Sequence, residues 1–361
     1  MGTLDSLLGG TGLPGMPLSH AGEQADIART SSISYKLLIL CLLYIAVAAL
    51  CWPAQYYHMA QRYLSLFAMW GSLSVFVVMI PAAVIISPRS PVGYLASSLR
   101  WNWRRALTVL VVFVLSLAAF TTYKVNIPDI MPFYSDKALA DIGELLHGQA
   151  PWRIAHSFDS DTLAMLVALA YSKFWFIEWY GMVLFAALCA NRLLHLRYLT
   201  ALALVTMVVG TLMATAFSSV GPIFYDEFVG GERYAELLQV LKQHPYNAHV
   251  LQYSDYLLAS HRADKPALGS GISAMPSMHV AIATVNAFYL GRLSRWLGLV
   301  GWAFAIFILF GSIYTGWHYA VDGYIAMLVV AVIWRCTAGI LVGEAEASRS
   351  PTSALQPSAA T

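Results

Sequence analysis

Two histidines and an aspartate stand at the ends of apolar runs in this chain. His279 falls in the first turn of a helix-like run within "GSGISAMPSMHVAIATVNAFYLG", residues 269–291. His318 and Asp322 fall in "GSIYTGWHYAVDGY", residues 311–324, at a spacing of i, i+4. On a helix that spacing puts both on one face, within reach of a hydrogen bond. A carboxylate beside an imidazole fixes its tautomer and raises its basicity. Pro276 suits the first position of the 277–294 helix, because its missing N–H would be unpaired there anyway. The amides of Ser277, Met278 and His279 would then lack helical partners, and a helix start of that kind favours an anion through its donors and its dipole. The Ser277 hydroxyl adds a donor. A third stretch, "SSVGPIFYDEF" at 218–228, turns at Gly221 and Pro222 and then places Tyr225 and Asp226.

Each piece also has a plainer reading. A lone histidine at a helix end packs at an interface more often than it reacts, and an i, i+4 pair can be purely structural. Ionisable residues in a membrane span are costly, about 2.5–3.5 kcal/mol at the centre on insertion scales. The convergence of two imidazoles and a carboxylate on one end of neighbouring helices tips the balance towards a site.

The elements that must hold these groups are membrane helices. The 361 residues are 59% hydrophobic and 11% charged, whereas a soluble domain carries about 25% charged residues. Apolar runs predict eight spans, at about 36–55, 63–87, 106–124, 171–190, 198–217, 277–294, 297–316 and 319–342. The fold class expected is all-α, a polytopic transmembrane helix bundle. Arg89, Arg100, Arg104 and Arg105 in the 88–105 loop, Arg192 and Arg197 at 191–197, and Arg292 and Arg295 near 291–296 fall on one side if the spans alternate. That side is then cytoplasmic, together with both termini. His279 and His318 meet at the opposite, outer face. The first apolar run has too long a polar lead for a cleaved signal and reads as a retained span. Cys41, Cys51, Cys189 and Cys336 fall within spans and form no CxxC pair, so they read as packing residues. The net charge of +2 gives no reason to expect nucleic acid.

Two long outer loops are more than linkers. In the first, Ser135 can cap a helix whose Leu139, Ile142, Leu145 and Leu146 share a face. In the second, Tyr234, Leu237, Leu238 and Leu241 share a face. Both read as short interfacial helices that either cover the bundle or shape a lateral entrance for a lipid. The expected organisation is a disordered segment at 1–35, accessory helices at 36–124, a catalytic transmembrane unit at 125–342 and a disordered tail at 343–361.

"SAMPSMH" and "TGWHYAVDG" resemble the second and third motifs of the type 2 phosphatidic acid phosphatase superfamily. They are nearest to the branch that includes inositol phosphorylceramide synthases and sphingomyelin synthases, and "GPIFYD" resembles that branch's degenerate first motif. The resemblance implies that His318 is the nucleophile forming a phosphohistidine, that Asp322 orients and activates it, and that His279 is the general acid for the leaving oxygen. It implies a phosphate cradle of Ser277 and nearby amides, and it calls for no metal and no cofactor. The sequence departs from the family's phosphatases in lacking the Lys and Arg-Pro of the first motif. Gly311 and Ser312 stand where those phosphatases place Ser-Arg. Some cation should still balance a phosphate. Arg262 and Lys265 are the nearest outer-side bases before the second motif and can also be read as solvated loop charges. Tyr225 and Tyr319 are further candidates for binding substrate.

The function this implies is a membrane phosphatase or phosphotransferase. Its substrate is a lipid phosphate ester or diphosphate at the outer leaflet, with the motif branch favouring transfer to a lipid or polyol hydroxyl over hydrolysis by water. The expected setting is a bacterial inner membrane with the site facing the periplasm. Two other classes compete. His279, His318 and Asp322 are a legitimate metal set, although a serine and a helix start suit an anion better. A transporter would need polar groups continuing inward, and the polar groups here stay at one face.

Overall fold

Long runs of helix formers with few breakers produce a bundle with no strand among the described residues, which in this computed structural model are 20–188, 192–263 and 269–349. In chain order the principal helices begin with α1 (His20–Cys51), α2 (Pro53–Ile86, with a π-wound turn at Val75–Met79) and α3 (Pro91–Val125). Then come α4 (Asp136–His147) and α5, which continues from Asp161–Leu169 through a π-wound Ala170–Phe174 into Trp175–Leu188. Next is α6, made of Arg192–Met207, a π-wound Val208–Met213 and Ala214–Ala216. The last five are α7 (Ala235–Gln243), α8 (Ala248–Arg262), α9 (Met278–Leu293), α10 (Arg295–Tyr314) and α11 (Ala320–Arg349).

Among the described residues six helices are long and apolar enough to cross a membrane: the Ser31–Cys51 part of α1, α2, α3, the Leu193–Ala216 part of α6, α10 and the Ala320–Ala338 part of α11. The protein is a polytopic membrane helix bundle. The other two expected spans are helical but differ from the six. α5 carries Lys173 and Glu178. α9 has 16 residues, which at about 1.5 Å per residue is roughly 24 Å, short of a hydrocarbon core of about 30 Å. α9 is apolar all round because it is the central helix: Val280, Ala281, Ile282, Ala283, Val285 and Ala287 are fully buried. α5, α6, α10 and α11 surround it.

Several boundaries move from the sequence expectation. The segment 88–105 is mostly helix, since Pro91 occupies the first turn of α3 and Arg100, Arg104 and Arg105 ride on that helix. Arg105 Nε donates to the Ala187 carbonyl at 3.0 Å and Asn102 Nδ2 to the Leu188 carbonyl at 3.1 Å. These side chains tie the start of α3 to the last described turn of α5. Among the described residues α1 includes 20–35 and α11 includes 343–349, so helix reaches into both segments expected to be disordered. Residues 1–19 and 350–361 lie outside the described residues, as does Cys189. Cys41 is buried, as a packing residue should be, whereas Cys51 and Cys336 are exposed on the bundle's flank.

The two long loops form a lid of helices over one end of the bundle. Ser135 does not cap α4; its hydroxyl donates to the carbonyls of Phe217 and Ser218, both at 2.9 Å. Asp136 Oδ1 accepts the Val220 and Gly221 amides at 3.0 Å and the Tyr319 hydroxyl at 2.9 Å. Leu139 is buried on the side of α4 next to that carboxylate, whereas Leu145 is 83% exposed and does not share the buried face. Burial pushes the Asp136 carboxyl up, against the lowering pull of the Gly221 and Val220 amides. In α7 the expected face is the buried one: Tyr234, Leu237 and Leu241 pack with Ile223, Tyr225 and Tyr319.

Candidate active site

The start of α9 sets the first imidazole. Ser277 is the N-cap, its Oγ accepting the Val280 amide at 3.4 Å, and the helix proper begins at Met278 rather than at Pro276. The Ser277 amide donates to the Asp322 carbonyl at 3.2 Å, so it does not point free into a cradle as the sequence reading expected. A cap removes one orphan donor, and Ser277 is fully buried in that work. His279 follows in the first turn. Its ring lies between Tyr171, 4.2 Å away centroid to centroid, and Trp175, 4.1 Å away. Tyr171 and Trp175 are i, i+4 on α5, so one face of that helix supplies both plates. Trp175 Nε1 also donates to the His279 carbonyl at 3.0 Å.

The second imidazole sits just before α11, not within it. The His318 amide donates to the Ser312 carbonyl at 3.2 Å, and its Nδ1 lies 2.7 Å from the Ala274 carbonyl. A carbonyl oxygen only accepts, so Nδ1 carries a proton, and in the neutral ring the lone pair is on Nε2. Asp322 Oδ2 is 3.5 Å from the same Nδ1, beyond a good hydrogen bond, and accepts the Tyr319 amide at 2.9 Å. The expected helical i, i+4 face is therefore replaced by a helix start. Asp322 reaches back to the amide just ahead of α11, as the third residue of a capping box does. The carboxylate stays near the imidazole, but the tautomer is set by Ala274, from the motif that carries His279.

The first motif closes the arrangement. Gly221 has φ +87°, and a Cβ there would stand 2.5 Å from the Trp317 carbonyl oxygen. Only glycine lets the 219–221 turn lie that close to the residue before His318. The Ser219 carbonyl accepts the Ala274 amide at 2.9 Å, and Ser219 Oγ accepts the Met275 amide at 2.9 Å. Three stretches distant in sequence are thus hydrogen-bonded into one framework.

His279 and His318 face one another across a cavity of about 470 Å³, with ring centroids 6.4 Å apart. Its walls are rich in aromatic rings. Tyr63 and Trp70 come from α2, Trp179 from α5, and Tyr253 from α8. A single group in the cavity can touch both imidazoles. The other expected binding residues lie elsewhere. Ser277 does not line the cavity; it is the cap described above. Tyr319 points away to Asp136, and Tyr225 is buried against Tyr234. Arg262 is exposed and paired with Glu227. Lys265 lies outside the described residues. Among the described residues no group of three or more His, Cys, Asp or Glu is placed to hold a metal ion. The sequence reading missed Tyr171, Trp175 and Lys124, which line the cavity. The aromatic i, i+4 pair and a lysine in the last turn of a span were the available signals.

No curated protein and no solved structure matches the chain. A family model described as the PAP2 superfamily matches residues 137–336, from α4 into α11, more than half of the chain and the part that holds His279, His318 and Asp322. The framework of three joined motifs beside the cavity therefore lies within the matched stretch, and the chain belongs to the PAP2 superfamily.

Proposed function

We propose that the protein is a membrane phosphatase or phosphotransferase that acts on a lipid phosphate ester or diphosphate at the outer leaflet, through a phosphohistidine. The observation that carries this reading is His318. Its Nδ1–H is held by the Ala274 carbonyl at 2.7 Å, leaving Nε2 free as a nucleophile towards a cavity it shares with His279. In the first half-reaction, Nε2 attacks phosphorus and the P–N bond forms as the P–O bond to the leaving group breaks. His279, protonated, gives its proton to the departing oxygen. In the second half, a water or a lipid or polyol hydroxyl loses its proton to His279 and attacks phosphorus, and the P–N bond breaks. Asp322, 3.5 Å from Nδ1, balances the positive charge that develops on the His318 ring.

The aromatic wall favours an apolar substrate body, and the cavity is within the size range of small-molecule sites, about 300–1,000 Å³. The His-Tyr-x-x-Asp form of the third motif, His318 to Asp322, supports transfer over hydrolysis. The periplasmic face of a bacterial inner membrane remains the proposed setting, on the strength of the arginines near the opposite ends of the spans. The test is incubation of purified protein with a panel of ³²P-labelled lipids, scored for released phosphate, for new phospholipid, and for an acid-labile, alkali-stable protein-bound label. A labelled enzyme with new phospholipid supports transfer; a labelled enzyme with phosphate alone supports hydrolysis. Turnover with no trapped label in a rapid quench, and full activity of His318→Ala, would sink the phosphohistidine.

A further inference from the structure

The family's usual phosphate-binding bases are absent from the three motifs, yet the cavity is not without a cation. Lys124, in the last turn of α3, lines it together with His279 and His318. The position lies outside the matched residues 137–336, on a helix that the sequence reading classed as accessory.

The local structure fixes this lysine next to the second motif. Asn126 ends α3, its Nδ2 donating to Thr122 O and to Gln55 Oε1, both at 2.7 Å. Gly271, three residues before Ala274, has φ +91°, and a Cβ there would stand 2.9 Å from the Lys124 carbonyl carbon and oxygen. The glycine lets the 269–276 loop lie directly on the Lys124 backbone. The loop that supplies the Ala274 acceptor, and leads into His279, is therefore seated on the turn that supplies Lys124.

A lysine at the end of a span ordinarily snorkels its ammonium into the interface. Lys124 instead is half-buried in the cavity wall, and no carboxylate among the described residues pairs with it. It lines the same cavity as His279 and His318, so an anion held between the two imidazoles lies within the field of its ammonium. The other bases lining the cavity among the described residues besides the two site histidines, Lys173 and His249, are exposed. Arg262 already holds Glu227.

Resting on the function proposed above, we infer that Lys124 is the cation of the phosphate pocket. Its ammonium binds the non-bridging phosphoryl oxygens while His318 and His279 stand on the two sides of the phosphorus. The helix pair α2 and α3 then completes the site instead of merely bracing it.

The test is the Kd of inorganic phosphate for the detergent-solubilised full-length protein, measured by isothermal titration, together with KM and kcat on the best lipid from the panel. Lys124→Gln should weaken phosphate binding and raise KM by about 10- to 100-fold, the effect of losing one charge-assisted hydrogen bond. Lys124→Arg should stay within about threefold of the parent, and Lys242→Gln, an exposed outer charge, should change nothing beyond about twofold. An unchanged elution volume checks that each variant is folded, and the arginine variant keeps the test decisive if the glutamine variant is not. Lys124→Gln within threefold of the parent, equal losses for Gln and Arg, or a loss confined to Lys173→Gln would each overturn the inference. If the parent binds phosphate and His318→Ala is inactive while Lys124→Gln is unaffected, only the inference falls. If the parent neither binds phosphate nor forms a labelled enzyme, the proposed function falls with it.

Discussion

At the level of single residues, the two imidazoles are set up for different work. His318 has its Nδ1–H committed to a backbone carbonyl, and His279 has its ring between two aromatic plates. His318→Ala should abolish turnover, since no P–N bond can form. His279→Ala should slow a lipid ester by about 100- to 10,000-fold, the usual range for a general acid. With an aryl phosphate, whose leaving group needs no proton, the loss should shrink to a few-fold; rapid-quench rates on both substrates check this, and equal losses would refute the division of roles. Asp322→Asn is a sharper test. In a serine-protease triad, the same change costs about 10⁴ in kcat because it admits the wrong tautomer. Here Ala274 holds the tautomer, so only charge stabilisation goes, and we expect a kcat loss of about 10- to 100-fold with KM unchanged. A loss near 10⁴ would mean that the carboxylate, not the carbonyl, orients the ring.

At the level of elements, the lid is tied to the bundle by a histidine between acids. His244, just after α7, places Nε2 2.7 Å from Asp159 and Nδ1 3.0 Å from Asp161 at the start of α5. The Tyr314 hydroxyl donates to Asp159 from the end of α10 at 2.6 Å, and His156 Nδ1 lies 3.5 Å from the same carboxylate. The hydrogen bond to Asp161, with the nearby Asp159 charge, raises the His244 pKa above its ordinary value. A histidine with a raised folded pKa binds protons more tightly folded than unfolded. Its contribution is complete below the unfolded pKa of about 6.5 and is lost as pH rises through the folded value. Amide exchange at residues 244–250, corrected for the intrinsic rate, should therefore show protection falling as pH rises past that value. His244→Gln should flatten the dependence; a slope that survives it would assign the effect to another group.

At the level of the whole molecule, the alternation of helices carries the sidedness. Arg89, Arg104 and Arg105 lie before or in the first half of α3 and Arg292 in the last turn of α9, towards the far ends of those helices from Lys124 and His279. A cysteine in place of Arg89 should resist an impermeant thiol reagent in intact cells, and one in place of Glu232 should react, both in a background free of the native cysteines. The reverse labelling would invert the placement of the site.

Composition and hydropathy alone determined the class, because a chain this apolar and this poor in charge can satisfy its backbone in lipid only as helices. The motif residues His279, His318 and Asp322 were legible for a related reason: titratable groups at the ends of apolar runs stand out when so few others occur. The buried face of α7 was legible because a 3.6-residue period survives any later packing. What the sequence did not determine is how residues far apart in the chain share their hydrogen bonds. The i, i+4 spacing of His318 and Asp322 fits a helix face equally well, and only the Ala274 carbonyl, 44 residues away, decides that His318 stands outside α11 with its Nε2 free. Ser277 reads as a phosphate ligand, and only the fold shows it buried as the cap of α9 and away from the cavity wall. Lys124 reads as a lysine at the end of a span until Gly271 brings the second motif onto its backbone. Periodicity is a property of neighbours along the chain, whereas a cavity is a property of which helix ends meet, and that is decided by packing across the bundle.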